Sequence, residues 1–259
     1  MNFRGARNRI ATVNFKQQII RPLAHAVYNR GIFGGMASYF RVLREMRAYA
    51  RMSGERLSFS NFSPWPIDRY QQAGDAGMYF YQDTWCAAHL KAAAPSAHVD
   101  VGSSMMFLAL ALQQCPVTYV DVRPMRLNMP GFSFRQGDLV ALPFQNGSVV
   151  SLSSLSVLEH VGLARYGDAL DPRGTDKACA ELARVLKPGG RLYVAVPTAA
   201  ANATHFNAHR VFTPETFIAM FAGLELTDER YALDDRVICR SQYDQLRRPY
   251  AFGCFAFAG

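Results

Sequence analysis

The chain has 259 residues, half of them hydrophobic and 19% charged, which is enough apolar surface for a large core and too much for a disordered chain. No apolar run approaches the roughly 20 residues of a membrane-spanning helix, and residues 1–20 interleave Arg4, Arg7, Arg9 and Lys16 with polar side chains where a secretory leader needs an apolar stretch. A cytoplasmic location is expected. The five cysteines (Cys86, Cys115, Cys179, Cys239, Cys254) form no C-x-x-C pair, which speaks against a zinc site or a disulfide framework and for reduced, mostly buried thiols.

The first 56 residues carry eleven Lys or Arg against Glu45 and Glu55, a local charge of +9 out of +8 for the whole chain, so the remainder is close to neutral. Within this arm Met36, Tyr39, Phe40, Leu43, Met46 and Ala50 recur at helical spacing while Arg41, Arg44, Arg47 and Arg51 line another face. That is a basic amphipathic helix, which either packs its apolar side on the protein or meets an anionic membrane surface, where each Lys or Arg can contribute about 1 kcal/mol. Gly31, Gly34 and Gly35 break the chain before it, making residues 1–30 a separate helical piece. Residues 53–78 are rich in Ser, Pro, Gly and Asn and read as a linker or lid. The expected division is a basic helical extension with linker over 1–77 and one domain over 78–259.

From residue 78 helix and strand alternate. A helix over 78–94 stops at Pro95, an apolar strand follows over 98–101, and a helix over 105–114 leads to a second strand at 117–122. Strands at 132–136 and 149–155, a helix at 176–186, a stop at Lys187-Pro188-Gly189-Gly190 and a fifth strand at 191–196 continue the rhythm. A helix after Pro214 and late strands at 224–233 and 250–257 complete it, the last pair suited to an antiparallel edge. This is the pattern of an α/β protein with a mainly parallel sheet and helices on both faces, whose ligands bind at the carboxyl ends of the strands.

The chemistry-bearing residues fall at those ends. Asp100-Val101-Gly102-Ser103-Ser104 is a tight strand-to-helix turn whose glycine lets backbone approach a ligand, although it fails the G-x-G-x-x-G pattern at Ser104 and Met106. About twenty residues on, Asp121 closes the second strand, where a carboxylate can accept from the two hydroxyls of a ribose; the alternative is a strand-end cap or an ion pair with Arg123. Asp138, followed by Leu139, closes the third strand, where an Asp can accept from an exocyclic amine while an apolar neighbour packs on a base.

After the fourth strand come Leu158-Glu159-His160-Val161 and Gly162-Leu163-Ala164-Arg165-Tyr166-Gly167-Asp168, and then Glu181-Leu182-Ala183-Arg184-Val185-Leu186-Lys187-Pro188-Gly189-Gly190. With Leu142-Pro143-Phe144, these runs resemble the class I S-adenosylmethionine-dependent methyltransferase superfamily from Asp100 to Pro197. Through Phe206-Asn207-Ala208-His209-Arg210 they resemble a group associated with bacterial surface-polysaccharide genes. The resemblance implies a Rossmann-like seven-stranded sheet with an antiparallel last strand. It also implies S-adenosylmethionine as cofactor, with Asp100, Gly102 and Ser103 beside its methionine part, Asp121 on the ribose, and Asp138 and Leu139 on the adenine. Ser104, Met106 and Val150 depart from the family pattern, Val150 standing where many relatives carry Asp.

Methyl transfer to a poorly acidic hydroxyl needs a general base. His160, His205, His209 and Asp168 are the candidates, with Tyr166, Asp171, Asn207 and Arg210 as residues able to hold a sugar or a diphosphate. His160 is equally compatible with packing in the following helix, and Asn207, His209 and Arg210 with a locally bonded loop. Asp168, Asp171 and Asp176 match no calcium loop, and no metal is expected. Three functions compete: O-methylation of a sugar in a surface glycan or its precursor, a methyltransferase-like binding protein without catalysis, and RNA methylation. The expected partners are a small-molecule or glycan acceptor and an anionic membrane at the inner face, with no nucleic acid; apolar edge strands leave a homodimer open.

Overall fold

The computed structural model describes residues 20–56, 64–66 and 77–259, and the chain divides into two compact units, 1–75 and 76–259. The expectations for residues 1–19 and most of the 53–78 linker therefore lie outside the described residues. None of the described helices is long and apolar enough to cross a membrane.

In the first unit α1 (Arg21–Ser53) leaves helical geometry only at Gly31, with φ 70° and ψ 172°, and ends on the left-handed Gly54. Gly34 and Gly35 do not break it. Instead the two arms of the helix touch: a Cβ on Gly35 would sit 2.5 Å from the Val27 backbone nitrogen, so only glycine allows the approach. This contact fixes which side is covered, and it corrects the expected faces. Tyr39 is buried and Leu43, Met46 and Ala50 are half-buried, but Met36 and Phe40 are exposed. At 3.6 residues per turn, Phe33, Met36 and Phe40 share one exposed strip with Arg44, Arg47 and Arg51. Arg41 faces elsewhere, paired with Glu45 at 2.8 Å and donating to the Pro66 carbonyl at 3.0 Å.

The second unit runs α2 (Gly77–Ala93), β1 (His98–Val101), α3 (Met105–Ala111), β2 (Val117–Asp121), β3 (Phe132–Gln136), β4 (Val149–Leu155), α4 (Gly174–Val185) and β5 (Leu186–Thr198). There follow β6 (Ala203–His205), β7 (His209–Val211), α5 (Pro214–Ala219), β8 (Glu225–Ala232), β9 (Val237–Cys239), α6 (Arg240–Gln245) and β10 (Ala251–Ala258). The sheet order is β3-β2-β1-β4-β5-β10-β8-β9. The first five strands are parallel, and β10 is antiparallel to both β5 and β8. The sheet thus has eight strands rather than the expected seven, the extra one being the three-residue edge strand β9. β10, the last strand, is antiparallel as expected but interior, inserted between β5 and β8, and the antiparallel edge is formed by β9.

Strand alternation assigns the two faces of the core. Leu192, Val194 and Val196 of β5, with Phe255 and Phe257 of β10, pack with Leu182 of α4 and Phe217 of α5; Tyr193, Ala195, Phe252 and Cys254 pack on the opposite side with Leu90 of α2 and Phe107 of α3. Covered on both faces, β10 can be apolar throughout. Pro188 holds Lys187 extended, so α4 ends at Val185 and the Lys187-Pro188-Gly189-Gly190 run forms the start of β5, with a register shift against β4. The hairpin β6–β7 and the β9–α6 corner are elements that the hydrophobic pattern does not announce.

Candidate active site

The carboxyl ends of β1, β2, β3 and β4 open onto two adjoining hollows. Gly102, Asp121, Asp138, Leu139, Tyr166 and His160 all line the narrower one. A wider cleft of about 650 Å³ shares Gly102, Asp121, Tyr166 and His160 with it and adds Tyr79, Arg126 and Arg165.

The floor is a buried polar column. Asp100 Oδ1 accepts from Ser103 Oγ at 2.6 Å and from Ser153 Oγ, and Asp100 Oδ2 accepts from the Ser103 backbone N–H at 3.2 Å. Burial raises the Asp100 pKa to about 7 despite these bonds. His98 lies 2.8 Å from both Ser151 Oγ and Ser153 Oγ, and burial drives its pKa down to about 3, so it is neutral. Asp100 and Ser103 brace the turn from beneath, and Ser103 also lines the wider cleft. Gly102 above them has φ +72°, and a Cβ there would meet Val157 Cγ1 at 3.1 Å.

The departures at Ser104, Met106 and Val150 have structural reasons. Ser104 caps α3, accepting from Phe107 N at 3.0 Å, and its hydroxyl donates to the buried Asp83 at 2.6 Å. Met106 lines neither hollow, and Val150 stands near the start of β4, at the opposite end of the strand from the site. The sequence reading missed Asp83 and its neighbour Gln82, which accepts from Ser156 Oγ at 2.7 Å, because helical apolar spacing says nothing about the polar residues it leaves between.

Asp121 is engaged by Arg123 through N and Nε on Oδ1 (2.8 and 3.0 Å) and Nη2 on Oδ2 (2.7 Å), with the Tyr119 hydroxyl 3.3 Å from Oδ2. Burial works to raise the Asp121 carboxyl, but the hydrogen bonds and charge of Arg123 outweigh it and hold the pKa below the usual range. The cap and the ion pair expected as alternatives are both formed, and Asp121 lines both hollows. Asp138 is exposed and accepts from Val140 N at 3.1 Å through Oδ1, beside the buried Leu139.

His160 follows β4 in a short 3-10 turn and is 8% exposed. Its Nδ1 is 2.7 Å from the Ala208 carbonyl, an acceptor only, and 3.2 Å from Arg165 Nη1, a donor only; the shorter contact places the proton on Nδ1 and leaves the lone pair on Nε2. Burial lowers its pKa to about 4. Beside it Glu159 is buried, with Oε1 3.6 Å from His160 Nε2 and Oε2 without a partner among the described residues; burial raises this carboxyl to about 8, so it is protonated at neutral pH.

The remaining expected residues organise the loops. Asp168 lines the narrower hollow and accepts from the backbone N–H groups of Gly162, Ala164 and Tyr166 at 2.7, 3.3 and 3.2 Å. Arg210 donates to the Val161 carbonyl at 2.6 Å and Thr175 Oγ1 at 3.1 Å, and Asn207 Nδ2 donates to the Leu163 carbonyl at 3.1 Å. Both tie the β6–β7 hairpin to the loop after β4, and with His209 they line neither hollow. The His209 ring lies tilted against His205, centroids 5.2 Å apart, and meets Tyr250 edge-on. Asp171 pairs with Lys177 at 2.6 Å. Tyr166 is 41% exposed and has the Arg123 and Arg165 guanidinium groups 4.9 and 5.1 Å from its ring centroid. Among the described residues no group of three or more His, Cys, Asp or Glu is arranged to hold a metal ion.

Comparison with known proteins places this architecture. A family model described as a Caenorhabditis protein of unknown function, DUF268, matches residues 145–248. No curated protein matches. Among solved structures, 1,6-didemethyltoxoflavin-N1-methyltransferase of Burkholderia thailandensis, with bound 1,6-didemethyltoxoflavin and S-adenosylhomocysteine, is 16% identical; the match covers 85% of this chain and 88% of that one, with a TM-score of 0.50. The N-methyltransferase NodS of Bradyrhizobium japonicum, in complex with S-adenosylhomocysteine, is 15% identical over 76% of this chain and 91% of that one, with a TM-score of 0.47. At such identities the likeness is one of fold. The second unit has the Rossmann-like fold of the class I S-adenosylmethionine-dependent methyltransferases.

Proposed function

We propose that this protein is an S-adenosylmethionine-dependent methyltransferase that O-methylates a sugar in a surface glycan or its precursor. The observation that carries the reading is the convergence of Gly102, Asp121, Asp138 and Leu139 on one hollow that joins a larger cleft at His160. The residues fit the cofactor: the Gly102 turn leaves no room for a side chain, Leu139 offers an apolar surface to a base, and Asp138 Oδ2 has no partner among the described residues. Bound S-adenosylmethionine would supply a methyl group on a sulfonium, open to in-line displacement. Orientation in the cleft then supplies much of the acceleration. His160 Nε2, with Nδ1–H held by Ala208, is the atom to take the hydroxyl proton, and Tyr166 covers the junction of the two hollows.

Calorimetric titration with S-adenosylmethionine and S-adenosylhomocysteine, beside an Asp121→Ala variant, tests the pocket. Micromolar binding that weakens in the variant is expected; no binding at millimolar ligand would overturn the enzyme reading. A non-catalytic nucleoside- or glycan-binding role is the second reading, favoured by one observation: Arg123 already occupies both Asp121 oxygens.

We also propose that α1 meets an anionic lipid surface and so keeps the protein at the inner face of a membrane. The exposed strip in which Phe33, Met36 and Phe40 run on into Arg44, Arg47 and Arg51 supports this, since apolar side chains enter the headgroup boundary and guanidinium groups meet phosphates. Co-sedimentation with phosphatidylglycerol vesicles, absent with phosphatidylcholine and lost on changing the three arginines to Glu, is the expected result.

A further inference from the structure

The wider cleft is cationic in a way the methyl-transfer reading does not use. Arg123, Arg126 and Arg165 line it, and the acid on the same wall, Asp121, is neutralised by Arg123. Arg126, in the loop after β2, is exposed and has no hydrogen bond or ion pair among the described residues. Arg165, in the loop after β4, donates through Nη1 to the Ala208 carbonyl at 2.8 Å, has the same nitrogen 3.2 Å from His160 Nδ1 and lies over the Tyr166 ring, while its Nε and Nη2 have no hydrogen-bond partner among the described residues. No Asn, Gln or Glu lines the cleft among the described residues; its side-chain acceptors are His160, the Ser and Tyr hydroxyls, and Asp121, which Arg123 already binds. The Arg126 guanidinium and the Nε–Nη2 edge of Arg165 present forked donors and two positive charges, which match a doubly charged phosphoryl group better than any neutral ligand. Arg210, the arginine that the sequence pattern suggested for a diphosphate, is instead spent on backbone carbonyls and Thr175.

We propose that the methyl acceptor carries a phosphoryl group, held by Arg126 and Arg165 while the reacting hydroxyl is presented to His160. This rests on the methyltransferase reading and narrows its substrate to a phosphorylated sugar, soluble or lipid-linked. Anion recognition belongs to the loops after β2 and β4, and the cofactor pocket contributes none of it.

The test is a calorimetric titration of the protein saturated with S-adenosylhomocysteine, using inorganic pyrophosphate as probe, for the native chain and the Arg126→Gln and Arg165→Gln variants. Pyrophosphate should bind the saturated protein, each substitution should weaken it at least tenfold, and S-adenosylhomocysteine affinity should stay within twofold. Arg126 has no contact whose loss would unfold the chain, so its variant reads binding alone. Pyrophosphate binding that disappears once S-adenosylhomocysteine is present would assign the arginines to the cofactor's own carboxylate and overturn the proposal, as would binding indifferent to both substitutions. If the native chain fails to bind S-adenosylhomocysteine, the methyltransferase reading falls separately, and pyrophosphate titration of the unliganded protein still decides whether the anion site exists. Sedimentation with phosphatidate vesicles that is lost in both variants would indicate a lipid-linked phosphoryl group; pyrophosphate binding without such sedimentation would indicate a soluble one.

Discussion

The Arg123 guanidinium holds both carboxylate oxygens of Asp121, Nε on Oδ1 at 3.0 Å and Nη2 on Oδ2 at 2.7 Å, at the position where a ribose would otherwise be gripped. The arginine side chain is 56% exposed and can swing away, so a nucleoside must displace an ion pair worth about 0.2–1 kcal/mol. Arg123→Ala should therefore tighten S-adenosylhomocysteine binding by up to about fivefold, whereas Asp121→Ala should weaken it by about 1.5–3 kcal/mol. Weaker binding in Arg123→Ala, measured by calorimetry, would mean that the arginine is itself part of the ligand's grip.

If His160 takes the proton, its burial sets the acid limit of catalysis. With a pKa lowered to about 4, the imidazole stays neutral and competent down to that region, so the acid limb of kcat/KM should fall near pH 4 instead of 6.5. His160→Gln should cost about 10²-fold or more in turnover and leave S-adenosylhomocysteine affinity within twofold. Full activity in the variant would exclude the role.

Glu159 supplies a pH dependence of folding. Its carboxyl ionises near 4.5 when unconstrained and only near 8 in the folded chain, because burial penalises the charge. The folded state thus binds the extra proton, and the stability this group contributes is fullest below pH 4.5 and drains as pH rises toward 8. Glu159→Gln, alike in shape and never charged, should flatten that slope: its Tm relative to the native chain should rise between pH 5 and pH 8. Parallel Tm profiles would show that the carboxyl ionises without penalty.

Ser104 bonds in two directions, to Phe107 N at 3.0 Å and to Asp83 at 2.6 Å. Ser104→Ala removes a helix cap and leaves a buried acceptor short of a donor. Urea denaturation should register a loss of about 1–3 kcal/mol. An unchanged midpoint would mean that Asp83 finds another partner.

The parallel half of the fold is legible in the sequence because β1 and β2 are short apolar runs ending at Gly102 and Asp121, β3 alternates up to Gly137 and β4 starts at Val149 after the Asn146-Gly147 turn, and their bounds match the expected ones within a residue. The opposite half is harder: β6, β7 and β9 have three residues each, and β6 is exposed and polar, so none carries an alternating pattern. On α1, spacing alone grouped Met36 and Phe40 with Tyr39; the close approach of Gly35 to Val27 decides which of them is covered. Gly102, Asp121, Asp138 and His160 stand out because each follows a strand. Arg126, Arg165 and Glu159 do not, since what distinguishes them is the presence or lack of a neighbour, a property of three-dimensional placement.

The insertion of β10 between β5 and β8 has a consequence for how the chain is made. β8 is synthesised before β10 yet touches the sheet only through it, so a nascent chain emerging from the ribosome carries β8 and β9 with an unfilled slot beside β5 until residues 251–258 arrive. The parallel half, with its Gly102 turn and the ends of β2 and β3, can assemble earlier. A stop codon before Ala251 would remove Phe255 and Phe257 from the core and leave β8 with no strand to join. Such a truncation acts on folding yield and exposure to proteases, even though the deleted strand contributes no residue to either hollow.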